Sequence, residues 1–171
     1  MSLNSWKKLN NRISTCKKCS RLVKFREKIA RNKTKRFNDW RYWGKPVSGY
    51  GNINGKLVIL GLAPAAHGGN RTGRVFTGDK SADFLIHCLH KAKFVNQPIS
   101  KNVNDGLVLY DSYMTPVLKC VPPEDKPTSQ ELKNCFNFLR EEVQLLKKNK
   151  IFLALGKIAF DACIKFLKHT N

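Results

Sequence analysis

Apolar positions along this chain fall into short blocks whose spacing alternates between two periods. Leu57-Val-Ile-Leu60 is a continuous apolar run, the pattern of a strand buried on both faces. Residues 107–114 read as a second strand, and Ile151-Phe-Leu-Ala-Leu155 as a third. Between them, residues 81–93 carry apolar positions at 84, 85, 88 and 89, which predicts a helix. Thr128 with Glu131 forms a capping box ahead of a helix reaching to about residue 147, after the break at Pro122 and Pro123. Gly156 opens a last helix. At the other end, residues 3–13 and 21–31 read as two basic helices flanking Cys16-Lys-Lys-Cys19. Residues 32–56 look irregular and hold Trp40, Tyr42, Trp43 and Tyr50. Strands alternating with helices predict an α/β fold with a mostly parallel sheet covered on both faces. Ligands of such sheets sit beyond the carboxyl ends of the strands. A site is therefore expected in residues 61–78 and 115–126, near the turn at Gly156.

The chain has 171 residues, the size of one domain, with neither an internal repeat nor a linker to divide it. The expectation is a single domain over 1–171, with cysteine-bearing basic helices in 1–45 and a βαβ core in 57–171. No apolar run is long enough to cross a membrane, and the first residues lack the apolar core of a signal peptide. Charge changes the picture more. There are 32 Lys and Arg against 12 Asp and Glu, a net +20, of which residues 1–45 contribute +13. Such an excess favours a polyanion, with nucleic acid the commonest; a merely solubilising surface is the bland alternative. The basic segments show no large apolar face for lying on a membrane.

Six cysteines without an export signal point to a reducing compartment, where close cysteines bind metal more often than they pair. Cys16 and Cys19 form a C-x2-C pair, Cys120 follows a predicted strand, and Cys135 falls within the next helix. Four thiolates suit zinc or an iron–sulfur cluster. Zinc ribbons supply a second close pair and this chain does not, so the spacing leans towards a cluster and leaves zinc open. Cys88 and Cys163 read as small core residues.

The loop from Gly61 to Asp79 has five glycines in nineteen residues, which lets a backbone approach a ligand closely. Arg71 and Arg74 are candidates to hold phosphate. Phe76 is a candidate stacking face for a base, or else a core residue. His67 is a candidate hydrogen-bonding or proton-exchanging group, or else a plain loop histidine. The loop fits neither common nucleotide-cofactor motif and holds no carboxylate before Asp79, which weakens a simple acid–base hydrolase.

Cys16-x2-Cys19, Tyr42-Trp-Gly-Lys-Pro-Val-Ser-Gly-Tyr-Gly51, the whole of Gly61–Asp79, Lys119-Cys-Val-Pro-Pro-Glu-Asp-Lys-Pro127, Cys135 and Ala154-Leu-Gly-Lys-Ile-Ala159 together resemble the family 5 (B-type) iron–sulfur uracil-DNA glycosylases of bacteria and archaea. The resemblance implies a three-layer αβα sandwich and a [4Fe–4S] cluster on Cys16, Cys19, Cys120 and Cys135. It also implies a DNA-repair enzyme that hydrolyses the N-glycosidic bond of uracil, with DNA as partner, a monomer in a prokaryotic cytoplasm. Better-known relatives carry Asp or Asn after the two residues matching Gly61 and Leu62. Here Ala63 stands there and cannot be a general base. The implied reaction is dissociative, with the departing uracil anion stabilised electrostatically after base flipping. The resemblance assigns stacking to Phe76 and the uracil and sugar edge to Gly61, Pro64, Ala65, Ala66 and His67. Asn70 becomes a candidate to position water. Asp125 lies in a stretch where Asn is more usual and is a candidate substrate contact.

The family continues past the last helix into a further strand and a His-Pro-Ser loop, for which this chain shows no counterpart. A truncated chain lacking its last strand is therefore expected, with weakened excision. The rival expectations are a nucleic-acid-binding module of the same fold with little or no activity, and a zinc-stabilised structural protein.

Overall fold

In a computed structural model, which describes residues 3–146 and 150–168, the run predicted as a doubly buried strand is the centre of the sheet. Strand β2 (Leu57–Gly61) pairs in parallel with β3 (Ser112–Pro116) on one side and β4 (Ile151–Ala154) on the other. A short antiparallel strand, β1 (Tyr50–Gly51), lies outside β3, so the order is β1-β3-β2-β4. The other edge of β4 carries no strand among the described residues, and Ile151 and Leu153 are exposed there.

The helices are α1 (Leu3–Ser14), α2 (Ser20–Arg31), α3 (Gly69–Thr72), α4 (Lys80–Lys91), α5 (Ser129–Leu145) and α6 (Lys157–Lys168). Side chains alternate across a strand, so β2 feeds two cores. Val58 and Leu60 pack with Trp6 of α1, Phe136, Leu139 and Val143 of α5, and Ala162 and Phe166 of α6. Ile59 packs on the opposite face with Met114, Val75, and Ile86 and Leu89 of α4. These are the three αβα layers. None of the described helices is long and apolar enough to cross a membrane.

Local signals explain the helix starts. The Thr128 hydroxyl accepts from the Glu131 amide at 3.2 Å while the Glu131 carboxylate accepts from the Thr128 amide at 2.8 Å. Asp79 caps α4 by accepting from the Ala82 amide.

Two sequence expectations are corrected. The second strand occupies Ser112–Pro116 and not 107–114. The Asp105 carboxylate accepts the amides of Lys101, Asn102 and Leu107, which bends the chain before it can extend. Ser112 and Thr115 are polar yet buried, so the strand was hidden from an apolar pattern. Residues 32–56, read as irregular, contribute a 3-10 turn at Lys35–Phe37 and the edge strand β1.

Candidate active site and cysteine cavity

The glycine-rich loop leaves the carboxyl end of β2, as the topology requires. Gly61 has no room for a side chain: a Cβ there would lie 2.4 Å from the tip of the Phe76 ring. Phe76 is half-buried and held at φ +50°, a left-handed conformation costly for an aromatic residue. Strain of this kind persists where the surroundings over-determine it, and it fixes the ring against the end of β2. Phe76 also touches the core, so the two roles proposed for it are not exclusive.

Beyond Gly61, Pro64, Ala65 and Ala66 form a tight turn in which the Ala65 carbonyl accepts the amides of Gly68 and Asn70. Helix α3 follows and ends at Gly73 (φ +82°). A strap from the N-terminal segment fastens this turn. The Trp43 amide donates to the Arg71 carbonyl and the Gly44 amide to the Asn70 carbonyl. Tyr42 Oη shares a 2.9 Å hydrogen bond with His67 Nδ1. Asn70 is buried, and its amide donates to the Arg26 carbonyl, so it ties the loop to α2. Phe37 stacks near His67. Sequence reasoning missed Phe37, Trp40 and Tyr42 as site-building residues; their signal was the aromatic density of a segment without periodicity.

The two loop arginines do not stand out towards a phosphate backbone as expected. Arg74 is buried and forms a two-pronged ion pair with Asp105 (2.7 and 2.8 Å), with further bonds to Thr77 and Ser100. A buried guanidinium requires its counter-charge, and Asp105 supplies it. Arg71 Nε donates to the His67 carbonyl at 2.6 Å and Nη2 to the Gly78 carbonyl, while Phe37 and Trp40 cover its guanidinium. Burial pushes its pKa down. Asp125 is exposed in the 3-10 turn Pro123–Asp125 with φ +55°. Asp79 packs its carboxyl against Gly68, and burial raises its pKa; it is the half-buried carboxyl of the loop.

The ends of β2 and β3 continue side by side, with the Val117 amide donating to Gly61 and the Leu118 amide to Leu62. That pairing brings Cys120 next to the loop. Cys16 and Cys19, from the turn between α1 and α2, line one small cavity with Cys120 and with Cys135 of α5. Ala63 packs against the same cluster. All four are free thiols. Among the described residues, no three His, Cys, Asp or Glu side chains gather as the ligands of a single ion. Asn134 Nδ2 donates to Cys19 Sγ at 3.3 Å. Burial pushes the Cys120 thiol up to about 12 and Cys135 to about 11. Without a cation Cys120 and Cys135 would therefore stay neutral, and a bound metal would make them thiolates.

The model of the uracil DNA glycosylase superfamily matches residues 48–170. The chain belongs to that superfamily. It is 42% identical over 161 residues to the type-5 uracil-DNA glycosylase of Pyrobaculum aerophilum, covering 94% of this chain and 70% of the relative. It is 44% identical over 158 residues to the type-5 enzyme of Mycobacterium leprae, covering 92% and 69%. The type-5 enzyme of Mycobacterium tuberculosis is 44% identical over 158 residues, of which the chain spans 59% of the length. The superfamily match begins ahead of β1 and runs through α6, so the loop, Cys120 and Cys135 lie inside it, whereas Cys16 and Cys19 precede it.

Proposed function

We propose that this chain is a DNA-repair glycosylase that cleaves the N-glycosidic bond of uracil in DNA. The observation that carries the reading is the loop at the carboxyl end of β2, where a strained Phe76 is pressed over a glycine that tolerates no side chain. That arrangement suits a flat base slid against Phe76 after flipping, a step costing a few kcal/mol. Ala63 offers no proton acceptor. The bond to the sugar therefore breaks largely ahead of water attack, and the loop's work is to stabilise the leaving anion and hold the sugar. Gly61 and the turn Pro64–Ala66 line the base and sugar edge. His67 is oriented through Nδ1 by Tyr42, which leaves Nε2 as the ring's other hydrogen-bonding position.

The four cysteines of the cavity would hold a [4Fe–4S] cluster. The donor set fits: four thiols line one space, the number and kind of ligand that such a cluster takes. Through Cys16, Cys19, Cys120 and Cys135 a bound cluster would cross-link the N-terminal helices to α5 and to the segment after β3.

The test is release of free uracil from a duplex carrying one uracil opposite guanine or adenine, using the brown, iron-loaded protein. Uracil release that falls roughly fivefold or more when Phe76 is replaced supports the reading. Iron-loaded protein that binds the duplex and releases no uracil overturns it in favour of a binding module.

A further inference from the structure

A cavity of about 790 Å³ borders the end of the loop at Gly78 and Asp79. One wall is the N-terminal segment with Arg36, Phe37 and Trp40; the other is α4 with Lys80, Phe84 and His87, closed by Ile99 and Lys101. Three exposed basic side chains line it, Arg36, Lys80 and Lys101, against Asp79 and Asp83, while Arg71 lies buried behind Phe37 and Trp40. Asp79 already accepts from the amide at the start of α4. Phe84 is 74% exposed, an unusual position for an aromatic residue on an otherwise polar helix face.

We propose that this groove holds a stretch of single-stranded DNA flanking the nucleotide in the active site. The chemistry selects a single strand. Cations at intervals follow phosphates, and unpaired bases stack on exposed aromatic rings, whereas a duplex hides its base faces. Gly78, Asp79 and Arg71 belong both to the groove and to the glycine-rich loop, so a strand leaving the loop enters it directly. The inference rests on the DNA reading given above and extends it to lesions beside unpaired DNA.

The experiment measures binding of iron-loaded protein to a uracil duplex by fluorescence anisotropy. The duplex is blunt, or extended by several unpaired deoxynucleotides at the 5′ or the 3′ end. A matched RNA extension provides a further arm. An overhang of DNA at one end should tighten binding about tenfold. Phe84→Ala should remove roughly fivefold or more of that gain, and Lys101→Gln should lower the salt slope of the gain by about one. Both side chains are exposed, and circular dichroism verifies that the variants fold. Equal binding of blunt and extended duplexes, a gain for RNA only, or a gain that survives both substitutions would overturn the proposal. Uracil release from the blunt duplex is scored separately. Its failure would fall on the glycosylase reading and leave the overhang comparison intact.

Discussion

Glu142→Gln should be the most damaging conservative substitution in this protein. Glu142 of α5 is fully buried, and so is Lys119, whose ammonium contacts the carboxylate at 2.5 Å. The same carboxylate accepts from the Thr115 hydroxyl at 2.6 Å and the Gly49 amide at 2.8 Å. One group thereby joins α5, the end of β3, the approach to β1, and the residue preceding Cys120. Glutamine keeps the shape but has one acceptor oxygen where the carboxylate has two, one facing Gly49 and the other Thr115 and Lys119, and it leaves the Lys119 ammonium buried without its counter-charge. Breaking a buried pair from one side costs about 3–5 kcal/mol, a fifth or more of a typical domain's stability of about 5–15 kcal/mol. At this size each kcal/mol moves Tm by about 2–4 °C, so a fall of about 6–20 °C is expected. Adding Lys119→Met removes the stranded charge, and the double variant should recover most of the loss. The assay is urea unfolding of wild type, both single variants and the double variant at pH 7 and equal iron content. A cost below about 1 kcal/mol for Glu142→Gln would refute the reasoning, as would a double variant whose cost is the sum of the singles, because coupled partners are not additive.

Cys120→Ser should lose iron and most folded protein, whereas Cys88→Ser, at an exposed position, should keep both; iron per chain and absorbance near 400 nm (the broad band of a [4Fe–4S] cluster) decide, and equal behaviour would disprove the ligand assignment. Phe76→Ala should weaken binding of a flipped-base substrate by about 1–3 kcal/mol and leave undamaged-duplex binding nearly unchanged; global unfolding instead would make Phe76 a core residue alone. For Asp105, burial pushes the carboxyl up, but the bond from Arg74 and the amides of Leu107, Lys101 and Asn102 outweigh it and hold it below the usual carboxylate range. A depressed folded pKa stabilises the protein above the ordinary value of about 3.9 and loses that contribution as pH falls through the folded value. The stability gap between wild type and Asp105→Asn should therefore be widest near neutral pH and close on acidification, and a gap constant from pH 7 to about 3 would contradict this.

Local physics made much of this protein readable from its residues alone. Leu57–Leu60 announces a doubly covered strand because the apolar run is continuous, rich in β-branched residues and too short for a buried helix, and Thr128 with Glu131 announces α5 because a capping box satisfies its own amides. The glycine loop identified the family and the end of the sheet where the site lies, since only glycine fits under Phe76. Partnership between distant residues was decided by the tertiary structure. Arg74 looks like a phosphate ligand until Asp105 is beside it, and β3 looks displaced until the same carboxylate turns the chain ahead of it. Nothing near Thr115 and Lys119 in the chain announces their burial, which the Glu142 carboxylate from α5 makes possible. The C-x2-C pair marks half of the proposed cluster site, but only the pairing of β2 with β3, and of α1 with α5, carries Cys16 and Cys19 to Cys120 and Cys135. Periodicity and capping are written in neighbouring residues. The burial of a charge or the gathering of four thiols depends on groups far away along the chain, whose meeting only the packed core specifies.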